Sequence, residues 1–240
     1  LMLLAGGRVG FTDFLFPILI PRLKNTKANF SDSTVKLLYL PNDNNQLTYT
    51  HFYSKDFYQL DLISSIENIV SSSNQYDFGT SNHTLRWLHG FENGTNLVGT
   101  LVHSSYLPKN LFPEIDSNNV IQFESQIQYT SAQFEYKDKR KDEFDYYAGV
   151  QINQYNINPG SLDPGSGNSI IPVDLNNEKS QEFSFFTNLN WNLTKRLSVS
   201  SGIRLTHFSL LGPYDQGIYD KDGFFERVNT IASKESIVSY

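Results

Sequence analysis

The stretch FDYYAGVQIN, residues 144–153, alternates apolar and polar side chains with a period of two. The apolar or aromatic positions are Phe144, Tyr146, Ala148, Val150 and Ile152. The positions between them include Asp145, Tyr147, Gln151 and Asn153. Successive side chains of a strand point to opposite faces, whereas a helix repeats every 3.6 residues. The stretch therefore predicts a β-strand with one apolar face and one polar face.

The same alternation recurs along most of the chain and predicts further strands. It is found at about residues 30–40, 46–57, 76–89, 96–106, 120–136, 182–191 and 197–206. In 120–136 we place Ile121, Phe123, Ile127 and Tyr129 together on the apolar face. The stretches have roughly 11–16 residues, whereas strands of soluble sheets most often have about five or six. The chain is therefore predicted to be all-β, with about nine or ten antiparallel strands.

The connections between these stretches alternate between short and long. Short polar turns are predicted at Pro41–Asn45, Glu92–Thr95, Lys137–Asp142 and Asn192–Lys195. Longer loops are predicted at Tyr58–Gln75, Leu107–Asn119, Asn156–Glu178 and Leu211–Ser236. Each short-turn hairpin and the long loop that follows it form a repeating unit.

Asn93-Gly94 is the clearest turn, because a two-residue hairpin loop with positive φ favours Asn-Gly. That loop predicts pairing of Trp87 with Thr100 and of Leu85 with Val102. It also places His103 opposite Thr84, so that His83 and His103 point to opposite faces. We therefore expect no shared metal site between these two histidines.

Composition excludes several classes of protein. The 240 residues carry a net charge of −6 and contain no cysteine. An acidic chain argues against nucleic-acid binding, and the lack of cysteine excludes a disulfide scaffold, a thiolate zinc site and a cysteine nucleophile. The longest apolar run, Phe14–Ile20, is far shorter than the roughly 18 residues of a membrane-spanning helix.

Long two-faced strands with short turns at one end and long loops at the other are typical of outer-membrane β-barrels. A closed barrel also satisfies every backbone polar group in lipid. The alternative from the pattern alone is a soluble β-sandwich or β-propeller, such as a carbohydrate-binding module, in which the apolar faces pack against each other. That alternative predicts a protein that is soluble without detergent.

Four stretches resemble the barrel of TonB-dependent outer-membrane receptors, in particular the branch that begins with a carboxypeptidase-regulatory-like domain. They are LLAGGRVGFTDFLF (Leu3–Phe16), LKNTKANFSDSTVKLLY (Leu23–Tyr39), YSKDFYQ (Tyr53–Gln59) and NLTKRLSVSSGIRLTHFSLLGPY (Asn192–Tyr214). The resemblance implies a receptor in the outer membrane of a Gram-negative-type bacterium. It further implies import of an extracellular glycan, peptide or metal chelate, with outer-membrane lipid, a plug domain and a TonB-type energising complex as partners. A passive porin-like barrel is the other transport alternative.

Residues 1–240 contain nothing that matches the plug domain, the signal peptide or the remaining strands of such a receptor. Large barrels of this class have about 22 strands. We therefore expect the chain to be one segment of a partial transmembrane β-barrel, with two unpaired edges of its own.

Five residues are candidates for ligand contact. Arg86 and Arg204 lie on predicted polar faces, where they would contact an anionic ligand or the plug; the alternative is a structural role. Tyr214, Tyr219 and Phe224 lie in the last predicted loop, where they would stack on a ligand. No carboxylate pair or Ser/His/Asp set stands out, so we expect no catalytic residue, no metal site and no cofactor.

Overall fold

The computed structural model describes residues 1–20, 23, 25–60, 64–66, 69–115, 118–141, 144–167, 170–221, 223–231 and 235–239. Nearly all of them belong to β-strands, as the alternation predicts. In chain order the elements are β1 (Met2–Phe11), α1 (Thr12–Leu19), β2 (Lys27–Asn42), β3 (Asn45–Leu60), β4 (Ser64–Ile66), β5 (Ile69–Ser71), β6 (Asn74–Gly90), β7 (Thr95–Pro113), β8 (Val120–Lys141), β9 (Phe144–Asp163), β10 (Val173–Asp174), β11 (Glu178–Thr194), β12 (Leu197–Leu211), β13 (Tyr214–Tyr219), β14 (Phe225–Ile231) and β15 (Glu235–Ser239).

One large sheet dominates the described residues. Its strand order is β1-β2-β3-β6-β7-β8-β9-β11-β12-β15, with β10 paired to β9. Every neighbouring pair is antiparallel. Two small hairpins, β4–β5 and β13–β14, form separate two-stranded sheets. Ten strands along one antiparallel path confirm the predicted fold, a partial β-barrel.

The strands are longer than the alternation suggested. β7, β8 and β9 contain 19, 22 and 20 residues. Three strands extend into segments predicted to be long loops: β3 runs to Leu60, β7 to Pro113 and β9 to Asp163. Alternation is hard to read there because polar side chains occupy both faces, whereas backbone pairing with the neighbouring strand continues.

The β6–β7 turn corrects the predicted register. The Phe91 N–H donates to the Thr95 carbonyl, and the Gly94 N–H donates to the Phe91 carbonyl. The loop therefore has three residues, and its last, Gly94, adopts a left-handed conformation with φ of 84°. Trp87 pairs with Gly99, Leu85 with Leu101 and His83 with His103. Because one residue of slip exchanges the faces, His83 and His103 lie on the same face and not on opposite ones.

A second correction concerns β8. Tyr129 points to the same face as Ser131 and Asn153, since its hydroxyl donates to the Asn153 side chain. Ile121, Phe123 and Ile127 each lie an even number of residues from Tyr129 along the strand. They are therefore on the same face as Tyr129, which is the polar face and not the apolar one. The apolar face of β8 is formed by Ala132, Phe134 and Tyr136, which pair with Ile152, Val150 and Ala148.

The two faces differ in crowding as well as in polarity. On the apolar face, Leu101 and Ile203 are 54% and 62% exposed. On the polar face, Ser131, Asn153 and Ser184 are 4%, 5% and 0% exposed. Side chains crowd on the inner side of a curved sheet, so the polar face is the concave side of the barrel arc.

The only helix among the described residues, α1, is too short to cross a membrane.

Candidate functional site

A hydrogen-bond network occupies the middle of the polar face. Asn153 is its centre: its Oδ1 accepts from the Tyr129 hydroxyl at 3.0 Å and from the Ser131 hydroxyl at 2.8 Å. Its Nδ2 donates to Glu182 Oε2 at 2.8 Å. The Tyr155 hydroxyl donates to the same carboxylate oxygen at 3.2 Å. We call these five residues the Asn153 network.

The strand register assembles this network. Ser131, Asn153 and Glu182 are direct cross-strand partners on β8, β9 and β11. Tyr129 and Tyr155 are the partners one step further towards the long-loop end, and their rings lie 5.2 Å apart. Opposite residues of an antiparallel pair stand about 5 Å apart, which suits short polar side chains and pairs of aromatic rings.

The network contains one carboxylate and several groups that both donate and accept hydrogen bonds. One oxygen of Glu182 accepts two hydrogen bonds, from Asn153 and from Tyr155. Ser131 also accepts from Gln151 Nε2 at 3.3 Å, which extends the network towards the short-turn end. Chemically, this wall can hold a polar neutral or cationic solute, or the side chains of a domain seated against it.

Arg204 lies beside the network, on β12. Its guanidinium donates to Gln151 Oε1 at 2.8 Å and lies 5.5 Å from the centre of the Phe186 ring. A groove of about 420 Å³ opens here, with Tyr147 and Asn188 among its lining residues. Arg204 therefore lies on the polar face, where the alternation places it, and Gln151 and Phe186 hold its side chain. Its contact with a ligand stays a prediction.

Arg86 lies on the polar face of β6 and is half-buried. It pairs with Thr48 on β3 and Thr100 on β7. Five strand positions separate β6 from β12. The structure therefore does not bring Arg86 and Arg204 together in the sheet, and the contact of either arginine with an anionic ligand or the plug stays a prediction.

The three predicted loop residues belong to the β13–β14 hairpin. Tyr219 and Phe224 are 63% and 72% exposed, at the tip of that hairpin. Tyr214 lies at its base, where the backbone pairs with Ile231, and its side chain lies outside the described side chains. Tyr219 and Phe224 thus share one exposed tip, in a hairpin that is separate from the large sheet.

The Asn153 network was not anticipated as a site. The sequence marks Gln151, Asn153, Glu182 and Ser184 as polar-face residues, but their partnership depends on the register between β8, β9 and β11. For Tyr129 the alternation predicts the apolar face, whereas its hydroxyl contacts Asn153 on the polar face. Among the described residues, no group of three or more His, Asp or Glu side chains is placed to hold a metal ion.

No protein-family model matches the chain, and no curated protein matches it. Among solved structures, the chain is similar to "Copper transporter OprC", with a TM-score of 0.65 and 11% sequence identity. The similarity covers 88% of this chain and 33% of that chain, so the chain spans about a third of the transporter's length. At this identity the likeness concerns the fold alone.

Proposed function

We propose that this chain forms part of the barrel wall of a TonB-dependent outer-membrane receptor that imports a nutrient. One observation carries the proposal: a single antiparallel sheet, apolar on its exposed face and polar on its concave face, with strands of up to 22 residues. A strand needs only about 9–11 residues to cross the hydrocarbon core of a bilayer. In this proposal the apolar face contacts lipid and the polar face lines the lumen.

The open edges of the sheet support a larger barrel. Among the described residues, β1 pairs only with β2, and β15 pairs only with β12. An unpaired edge leaves backbone N–H and C=O groups unsatisfied, which lipid does not tolerate. We therefore propose that strands from elsewhere in the protein close the barrel; this chain spans only a third of the similar transporter structure.

The polar face supplies the proposed contacts inside the barrel. The Asn153 network and the Arg204 groove present hydroxyls, amides, a carboxylate and a guanidinium on one concave wall. These groups suit the surface of a plug domain or a polar nutrient on its way through. The ligand classes stay a glycan, a peptide or a metal chelate; the structural neighbour is named as a copper transporter. Tyr219 and Phe224 are proposed to contact the ligand from the long-loop end.

The first test is to read the coding sequence on both sides of this chain. We expect an upstream signal peptide and plug domain, and further alternating strands downstream. A reading frame without a plug-coding segment would overturn the energised receptor and leave the passive porin.

The second test separates an energised receptor from a passive porin by solute flux. The full-length protein is reconstituted into liposomes, and permeation of raffinose is followed by liposome swelling. A plugged receptor gives no swelling above that of empty liposomes, whereas an open porin swells at once. Recovery of a monomeric, cooperatively unfolding protein without detergent would instead favour the soluble carbohydrate-binding alternative.

A further inference from the structure

A row of three histidines marks the point where the apolar face turns polar. His51, His83 and His103 are direct cross-strand partners on β3, β6 and β7. The rings of His51 and His83 stack with centroids 4.4 Å apart, and the Tyr49 hydroxyl lies 2.8 Å from His83 Nδ1. On the short-turn side, the next outward pair is Leu85 and Leu101. We call these three residues the histidine row.

A pocket lies beyond the histidine row, on the same face and towards the long-loop end. Its volume is about 330 Å³. The floor is Gly79, which has Lys55 and Leu107 as cross-strand partners. Since Gly79 has no side chain, the sheet surface is open between these two neighbours. Hydroxyls from three residues line the side nearer the histidines: Tyr53, Ser81 and Ser105. We call this the Gly79 pocket.

Two ion pairs border the Gly79 pocket. Lys55 Nζ lies 3.1 Å from Asp77 Oδ2, and Lys109 Nζ lies 3.2 Å from Glu124 Oε2. Both lysine side chains are well exposed, at 50% and 38%. Exposed pairs of this kind are worth about 0–1 kcal/mol, so neither carboxylate holds its lysine firmly. An ammonium group has three donors, so each lysine can donate to a phosphate beside its carboxylate.

An apolar groove begins on the other side of the histidine row. Its volume is about 340 Å³, and its walls include Leu85, Leu101, Phe134 and Ile152. Gly99 lies in this groove between Trp87 and Phe134, with atoms of both rings 3.6 and 3.7 Å from the position of a Cβ. The Gly79 pocket, the histidine row and this groove follow one another along β6 and β7. Polar pocket and apolar groove together match an amphipathic occupant.

We propose that the Gly79 pocket binds the phosphorylated sugar headgroup of an outer-leaflet glycolipid, with an acyl chain of the same lipid in the apolar groove. The inference rests on the proposed function, because it requires the apolar face to contact the bilayer. In a bilayer leaflet the headgroups lie directly outside the acyl chains. The Gly79 pocket has the same relation to the apolar groove, because it lies beyond the groove towards the long-loop end. Lys55 and Lys109 would bind phosphate, and Tyr53, Ser81 and Ser105 would bind sugar hydroxyls.

The test measures binding of fluorescently labelled lipid A, a phosphorylated disaccharide glycolipid, to the full-length protein in detergent micelles. Gly79→Val places a branched side chain on the floor of the pocket and narrows it. At Gly79 a Cβ meets only the Leu107 Cβ, at 4.0 Å, so the variant is expected to fold. We expect Gly79→Val, and separately the pair Lys55→Gln with Lys109→Gln, to weaken lipid A binding at least tenfold. Lys179→Gln, at an exposed lysine on the same face of β11, is the control and should change it less than twofold.

Two further measurements distinguish the possible failures. Inorganic phosphate and the deacylated headgroup are offered as competitors, and equal competition by either would overturn the lipid assignment in favour of a free anion. Unchanged binding in both variant sets would overturn the site. Outer-membrane fractionation and heat-modifiable migration are measured on the same protein. Membrane insertion without lipid A binding leaves the proposed function standing, whereas failure to insert overturns both.

Discussion

Asn153 joins three strands through one side chain. Its amide accepts from Tyr129 and Ser131 on β8 and donates to Glu182 on β11. It is only 5% exposed, so water does not easily replace these partners. A buried donor or acceptor that loses its partner costs about 1–3 kcal/mol. The polar face is therefore part of what holds β8, β9 and β11 in register.

We expect Asn153→Ala to lower the free energy of unfolding by about 1–3 kcal/mol, because the Tyr129, Ser131 and Glu182 side chains lose a partner together. Urea unfolding in detergent, followed by tryptophan fluorescence, measures the change. Gln133→Ala, on the same face of β8 but outside the network, is the control and should change stability by less than half as much. Equal losses in the two variants would show that the network adds nothing beyond ordinary polar-face packing.

Gly149 is required for space and not for backbone freedom. A Cβ at this position would lie 2.5 Å from Phe186 Cζ and 2.7 Å from the Phe134 carbonyl oxygen. The Phe186 ring therefore rests on the bare backbone of β9, and Arg204 lies against that ring. The sequence shows a glycine in a strand, but only the register shows which ring covers it.

Gly149→Ala is expected to destabilise the protein by about 1–3 kcal/mol, as overpacking does, because the ring can move but the Phe134 backbone cannot easily do so. Gly99→Ala is the matched control. There the nearest ring atoms are 3.6 Å from the new Cβ, an ordinary contact, so we expect no loss of stability. Midpoints of urea unfolding compare the two; similar midpoints would contradict the steric argument.

At the scale of elements, periodicity predicted where the strands are, and turn geometry decided how they pair. The Asn93-Gly94 sequence predicts a two-residue loop, whereas the structure has a three-residue loop ending in Gly94. Both loops favour glycine at a positive φ, so the dipeptide alone does not distinguish them. The difference of one residue decides which faces of β6 and β7 lie on the same side of the sheet. The histidine row and the Gly79 pocket both depend on it, because each combines side chains from the two strands.

The register of β6 and β7 is testable by disulfide trapping, because the chain has no native cysteine. Leu85→Cys with Leu101→Cys places two thiols on directly opposite residues, within the Cα separation that a disulfide spans. We expect this pair to oxidise readily, as seen by a mobility shift that reductant reverses. Leu85→Cys with Val102→Cys puts the thiols on opposite faces and should not cross-link. Preferential cross-linking of the second pair would show that the strands pair in the register of the two-residue loop.

At the scale of the whole molecule, the fold class could be predicted because it depends on a repeated pattern and not on any single residue. Because eight stretches alternate, the fold class is predicted correctly even where the face of a single residue, such as Tyr129, is predicted wrongly. The site could not be predicted to the same degree. The Asn153 network depends on two strand registers at once, that of β8 with β9 and that of β9 with β11. The ends of β3, β7 and β9 have no clear alternation to read.

The orientation of the sheet in a membrane yields the most general prediction. Phe134 and Gln133 are consecutive residues of β8 on opposite faces: Phe134 pairs with Val150 on the apolar face, and Gln133 pairs with Gln151 on the polar face. A lysine on the lipid face of a barrel costs about 2–4 kcal/mol near the bilayer midplane, whereas a lysine facing a watery lumen is tolerated. We therefore expect Phe134→Lys to reduce folding into lipid vesicles strongly and Gln133→Lys to leave it nearly unchanged. Folded fractions are read from heat-modifiable migration after refolding into vesicles. A greater loss with Gln133→Lys would mean that the polar face contacts lipid, and it would overturn the assignment of the two faces from which the proposed receptor and its glycolipid site both follow.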